Sequence, residues 1–256
     1  MLGKKTIFNI ENSKLLKCCS DSSEIVIPNG VTVIDEYAFE DCRNLETVII
    51  PKTVSKICDY AFWNLKITNV KIEEGVKYIG NYAFEDCYRL SFVEIPSSVT
   101  FIGTHAFSLP TKIYMPKGNE ICFEQNGCIL TNKGKNLLRV CENLKEVTVP
   151  STVTTLEPYA FCECSNLEKI LLPNGLVSIG YSAFLACRSL KKITIPETVE
   201  FIDDEIFDRC ENLETIIFLK NIPLIRNLIF ENCAKLKSIV IENEEILIND
   251  SNLENY

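Results

Sequence analysis

Phenylalanine recurs along this chain on a nearly fixed ruler. Phe39, Phe62, Phe84 and Phe107 stand 23, 22 and 23 residues apart, and Phe161, Phe184, Phe207 and Phe230 stand 23 apart at every step. The same phrase surrounds most of them: Tyr37-Ala38-Phe39-Glu40-Asp41-Cys42, Tyr82-Ala83-Phe84-Glu85-Asp86-Cys87, Tyr159-Ala160-Phe161-Cys162-Glu163-Cys164 and Ser182-Ala183-Phe184-Leu185-Ala186-Cys187. Self-similarity at such a period marks a solenoid, in which each coil buries its apolar face only against its neighbours. Arrays of this kind offer surfaces for binding more readily than pockets for chemistry.

Each period also carries a short β-branched run closed by proline, as in Val48-Ile49-Ile50-Pro51, Val93-Glu94-Ile95-Pro96, Val147-Thr148-Val149-Pro150 and Ile193-Thr194-Ile195-Pro196. The runs alternate like half-buried strands, and a proline that cannot donate to a ladder ends them. The period therefore asks for one strand per coil of about 23 residues, followed by a turn or one 3₁₀ turn at the Tyr-Ala-Phe phrase. These residues closely resemble the BspA-like leucine-rich repeat family. The family phrase Leu-x-x-Val-x-Ile-Pro-x-x-Val-x-x-Ile-Gly-x-x-Ala-Phe-x-x-Cys is followed by Leu90 to Phe107 and by Leu167 to Cys187 almost position by position. The resemblance runs from about Ile25 to Glu242. It implies a curved leucine-rich repeat solenoid, mostly β with little helix, whose parallel sheet lines a concave face.

Departures from the phrase fall at particular places. Glu73 replaces the proline in a coil one residue short, and Pro110 stands where cysteine is expected. A longer period overlies the short one. A shift of 122 residues carries Leu15-Leu16-Lys17 onto Leu137-Leu138-Arg139, Cys19 onto Cys141, Pro28 onto Pro150 and Tyr37-Ala38-Phe39 onto Tyr159-Ala160-Phe161. Both halves open with two apolar runs around a polar turn, the signature of a β-hairpin. The expected organisation is a cap hairpin at 1–24, a module of four repeats at 25–116, an irregular linker with an internal hairpin at 117–143, a second module of four repeats at 144–242 and a tail at 243–256. The two modules are expected to stack continuously, because a buried sheet edge costs less than two exposed ones.

A net charge of −9 leaves no basic surplus for neutralising phosphates, which argues against nucleic acid. No apolar run approaches the roughly 20 residues of a membrane span. The start, Met1-Leu2-Gly3-Lys4-Lys5, is interrupted by Asn9, Glu11 and Asn12 before an apolar core forms, unlike a secretory signal. Thirteen cysteines would suggest disulfides in a small secreted domain. Here Cys42, Cys87, Cys164, Cys187, Cys210 and Cys233 each lie three residues after a repeat phenylalanine, which describes a buried column of reduced thiols. A bridge between Cys122 and Cys128 is sterically open only for a secreted protein.

Chemistry is sparse. The single histidine, His105, occupies the tyrosine position of its phrase, so no Ser-His-Asp or Cys-His pair is available without it. Cys18-Cys19 and Cys162-x-Cys164 lack zinc spacing, no phosphate-binding glycine loop is present, and no cofactor, metal or catalytic residue is assigned. What remains is the outward face of the strands. Its positions include Ile49, Lys71, Phe92, Glu94 and Tyr114 in the first module and Lys169, Leu171, Lys192, Thr194, Ile217 and Val240 in the second. Solvent-facing aromatics favour protein interfaces, while β-branched residues on an open face also serve cross-strand packing. The expected function is a non-enzymatic, monomeric protein-binding module. The resemblance implies a surface-associated or secreted adhesin whose partner is a host matrix or cell-surface protein. An intracellular scaffold, which the reduced thiols and the missing signal favour, and an enzyme with an unrecognised site are the alternatives.

Overall fold

Two short strands, not one, build seven of the described coils. The computed structural model describes residues 6–108, 111–119, 121–140, 144–220, 232–242 and 244–247. The chain forms two compact units, residues 1–123 and 124–256. In the first, the longer strands are Glu24–Val26, Thr47–Ile50, Asn69–Ile72, Phe92–Glu94 and Lys112–Tyr114. In the second they are Glu146–Thr148, Lys169–Leu171, Lys192–Ile195, Thr215–Phe218 and Ser238–Ile241. Two-residue strands follow within the coils: Val33–Ile34, Lys56–Ile57, Tyr78–Ile79 and Phe101–Ile102, then Thr155–Leu156, Ser178–Ile179 and Phe201–Ile202. The period alone asks for one strand per coil. The second arises because the extended residues before each Gly, Cys or acidic residue that ends this stretch meet equivalent backbone one coil away. Cys58 N–H, for example, donates to the Ile34 carbonyl at 2.9 Å and Gly80 N–H to the Ile57 carbonyl at 2.9 Å.

The Tyr-Ala-Phe phrase is a run of turns rather than a 3₁₀ turn. Its first residue is left-handed in every described copy, with φ of 54° at Tyr37, 56° at Tyr60 and Tyr82, 52° at His105, 61° at Tyr159 and 48° at Ser182. That conformation is costly for a residue with a Cβ. It turns the N–H outward to the next coil: Tyr60 N–H reaches the Asn81 carbonyl at 3.1 Å and Tyr82 N–H the Thr104 carbonyl at 3.0 Å. Ring stacking offsets the cost further, with Tyr37 and Tyr60 centroids 5.1 Å apart and Tyr60 and Tyr82 4.9 Å apart.

Two columns fill the core beneath this turn. The phenylalanines stack ring on ring, at 4.4, 4.8 and 5.2 Å from Phe39 to Phe107 and at 5.0 and 5.5 Å from Phe161 to Phe207, all buried. Phe230, the last mark on the ruler, lies outside the described residues, as do Pro110 and Cys141. The cysteines form the second column and are more than small apolar fillers. The thiol of Cys87 donates to the Phe62 carbonyl at 3.2 Å, Cys210 to Phe184 at 3.1 Å and Cys233 to Phe207 at 3.2 Å. Each described cysteine is a free thiol, Cys122 and Cys128 included.

A hairpin opens each set of coils. Ile7–Glu11 pairs antiparallel with Lys14–Cys19, and Lys14 and Leu15 then pair in parallel with Val33 and Ile34. Cys128–Thr131 pairs antiparallel with Asn136–Val140, and Asn136 and Leu137 pair with Thr155 and Leu156. The shift of 122 residues relates the second strands of the two hairpins and their parallel partners, while the first strands align at a shift of 120. The larger shift also relates their irregularities: the ladder skips Leu16 in one hairpin and Leu138 in the other. At the far end of the second unit, Glu244–Leu247 runs antiparallel beside Ser238–Ile241.

Candidate functional site

Alternation along the longer strands decides what reaches their open face. Val48, Ile50, Val70 and Val93 point inward and are buried; the residues between them point out. In the first unit the register sets Val26, Ile49 and Lys71 in one row and Glu24, Thr47 and Asn69 in the row beside it. Phe92 lies opposite Lys112 and Tyr114 opposite Glu94 on the next strand pair. Phe92 and Tyr114 are therefore diagonal neighbours, their rings meeting edge to face at 6.1 Å with both largely exposed. Edge-to-face pairing fixes two large apolar side chains in place without burying them.

Glu73 shows what its coil gains by lacking proline. Its own N–H reaches the Ile50 carbonyl at 3.0 Å, which proline could not do. Its carboxylate accepts from the Lys71 ammonium at 3.1 Å and from Lys52 N–H at 3.2 Å. The Lys71 contact first, and the backbone donor second, hold this carboxyl below the usual range. Lys71 is thus tied back at the strand end, while Ile49 is half-buried between its row neighbours.

In the second unit Lys169 lies opposite Glu146, 3.7 Å from its carboxylate, and Leu171 lies opposite Thr148. Lys192, Thr215 and Ser238 form one row and Thr194, Ile217 and Val240 the next. Leu171 is well exposed at 61%. Ile217 and Val240 are half-buried, and Val240 is further flanked by Glu245 of the closing antiparallel strand. Thr194 stands in the row between Leu171 and Ile217, so the apolar positions do not form one uninterrupted stripe.

The two-residue strands carry an outward face that the sequence reading passed over. Tyr78 and Phe101 stack at 4.4 Å, and the Lys56 ammonium sits 4.7 Å from the Tyr78 ring centre. The signal was present: Val33, Lys56, Tyr78 and Phe101 each precede an inward isoleucine at the repeat spacing. Reading that stretch as turn concealed it.

His105 stands beside Tyr82, at 5.8 Å between ring centres, with Nδ1 3.3 Å from Glu85. Among the described residues no three His, Cys, Asp or Glu side chains gather as metal ligands, and no helix is long and apolar enough to cross a membrane.

A sequence model of the BspA type leucine rich repeat region matches residues 9–122 and 131–256, in six copies. No curated protein matches the chain. Among solved structures, a leucine-rich repeat protein from Eubacterium ventriosum superposes with a TM-score of 0.71 at 27% identity, over 86% of this chain and 66% of that one. One from Bacteroides ovatus gives 0.54 at 26% identity, over 92% and 69%. A leucine rich cell surface protein from Faecalibacterium prausnitzii gives 0.53 at 22% identity, over 95% and 94%, and speaks to the fold alone. This chain spans a little under two thirds of the Eubacterium protein's length. With repeat phrase, coil geometry and sequence model in agreement across most of its length, the chain belongs to the BspA type leucine-rich repeat family.

Proposed function

We propose that this chain is a non-enzymatic adhesin-type module that binds a protein partner through the open face of its longer strands. The observation that carries this reading is the exposed edge-to-face pair of Phe92 and Tyr114, bordered by Glu94 and Lys112. Aromatic side chains held rigid at low entropic cost are the usual anchors of protein interfaces, and a charged border supplies orientation. Leu171, with Lys169 on its own strand and Lys192 on the next, is the corresponding apolar point on the second unit. Membership of the BspA type supports a surface-associated location and a host matrix or cell-surface protein as partner.

A binding assay against immobilised matrix proteins tests the face. Binding by the wild type that drops about tenfold or more in Phe92→Ala/Tyr114→Ala, with unfolding unchanged, supports it. Binding that survives this pair and Leu171→Ala sinks it. Labelling of intact source cells with a membrane-impermeant amine reagent tests location; labelling that appears only after lysis removes the adhesin reading. The second reading, an intracellular scaffold using the same face, draws on the buried thiols of Cys87, Cys187 and Cys210, each engaged as a donor, which suit a reducing compartment.

A further inference from the structure

A cleft of about 670 Å³ opens on the flank of the first unit, where the chain passes from the phenylalanine rung to the longer strand. A one-residue deletion creates it. In the coils on either side this passage holds a turn, closed by Leu45 N–H on the Cys42 carbonyl and Leu90 N–H on the Cys87 carbonyl, each at 2.9 Å. The coil between them runs from Phe62 to Ile67 with one residue fewer and no turn after Leu65. Leu65 replaces the cysteine and is buried beneath the opening. Two coils that keep their turns, around one that lost it, leave a notch.

The rim of the notch is aromatic and charged. Trp63, the one tryptophan of the chain, is 39% exposed and Tyr88 is 69% exposed. The acids are already engaged: the Lys17 ammonium lies 2.9 Å from Glu40 and 2.8 Å from Asp41, and Asp86 accepts the Tyr88 hydroxyl. The bases are differently placed. Arg43, Lys66 and Arg89 line the notch with no carboxylate in ion-pair contact among the described residues; Asp41 feels Arg43 only at longer range. The three bases on successive coils repel one another, Glu40 and Asp41 are drawn to Lys17, and an anion seated among the bases relieves that repulsion.

We propose that this notch binds an acidic sugar: a pyranose ring carrying a carboxylate. The aromatic faces of Trp63 and Tyr88 suit the apolar C–H face of the ring, and the arginine forks of Arg43 and Arg89 suit the carboxylate, which they grip through paired N–H donors. Three coils at roughly 4.8 Å per step give an opening of about 10 Å, the width of one or two sugar rings. An extended peptide would need a strand edge to pair with, and the walls of the notch are turns. The site uses none of the open-face residues, so it stands or falls independently of the protein-binding reading.

Because Trp63 is the sole tryptophan, its emission reports on the notch in the full chain without a label. The protein is titrated at fixed ionic strength with tetragalacturonate, with neutral maltotetraose and with tetraglutamate, each followed by fluorescence and by calorimetry. Saturable heat and a shift in Trp63 emission are expected with tetragalacturonate, with none from maltotetraose and a weaker response to the peptide. Arg43→Gln and Arg89→Gln each weaken that binding about tenfold. Arg188→Gln, in the second unit, leaves it unchanged, and all three variants keep the wild-type melting curve. The proposal is overturned by no heat at millimolar tetragalacturonate, or by binding that leaves Trp63 emission unmoved. It is equally overturned by a maltotetraose response as strong as the acidic one, by tighter binding of tetraglutamate, or by arginine variants that bind like wild type.

Discussion

The thiol of Cys187 donates to the main-chain carbonyl of Phe161, 3.2 Å away and one coil earlier. Cys210 does the same to Phe184 and Cys233 to Phe207. The left-handed residue at the head of each phrase directs backbone groups along the stack, and the cysteine gives a second donor to a buried carbonyl that already accepts a backbone N–H of its own coil, as Phe161 does from Cys164 at 3.1 Å. Alanine at this position removes both the donor and the sulfur's volume. Cys187→Ala is expected to lower stability by about 1–2 kcal/mol in urea unfolding, whereas exposed Cys19→Ala leaves it within about 0.5 kcal/mol. Equal effects at the two sites would remove the proposed role of the thiol.

Burial pushes the Cys87, Cys162 and Cys233 thiols up to about 12. An unfolded thiol ionises near pH 8.5 to 9. Below that range both states hold the proton and the contribution is complete. Above it the unfolded chain releases protons that the folded chain keeps, so stability falls as pH rises from about 9 toward 12. Urea midpoints should therefore be level from pH 7 to 8.5 and decline steeply by pH 10. Cys87→Val should flatten the decline. A flat profile in the wild type would contradict the burial of these groups.

Much of this was legible before any coordinates. The phenylalanine ruler fixed coil length, and the proline-ended runs located the longer strands to within a residue or two. A period is visible when one residue type repeats, and Phe and Cys do. The two-residue strands escaped because Val33, Lys56, Tyr78 and Phe101 share no chemistry; only backbone pairing unites them. The left-handed turn escaped because Tyr is an improbable residue there, and stacking between coils, which makes it tolerable, is invisible within one copy. The notch beside Trp63 was present in the sequence as a spacing of 22 in place of 23, but a missing residue gives no indication of which wall it opens.

Left-handed positions that gain nothing from their side chain should prefer glycine. Arg209 has φ of 57° and an exposed side chain whose one ion pair, with Asp208, spans 3.6 Å. Replacement by glycine removes roughly 1–2 kcal/mol of backbone strain against about 0.5–1 kcal/mol of added unfolded-state entropy. Arg209→Gly is expected to raise stability by about 0.5 kcal/mol in chemical unfolding. A loss of stability would show that the arginine makes contacts worth more than the strain.

Two glycines separate strain from collision. Gly30 has φ of 99° with open space where a Cβ would lie, while Gly75 has φ of 135° and a Cβ there would strike the Lys52 carbonyl of the preceding coil. Gly30→Ala should cost about 1 kcal/mol and Gly75→Ala at least about 2 kcal/mol. The ratio, read from parallel urea melts, checks the packing of the short coil against its neighbour.

The repeated hairpin, with its skipped residue at Leu16 and again at Leu138, has a consequence for how such chains lengthen. A single coil copied into an array inherits no beginning. A block that carries its own hairpin brings a start with it wherever it is inserted, and its first coil finds the same backbone partners as the first coil of the chain. Growth by whole blocks of about 122 residues therefore leaves no coil without a template, and the two start segments are free to drift apart in everything except the backbone pattern they present.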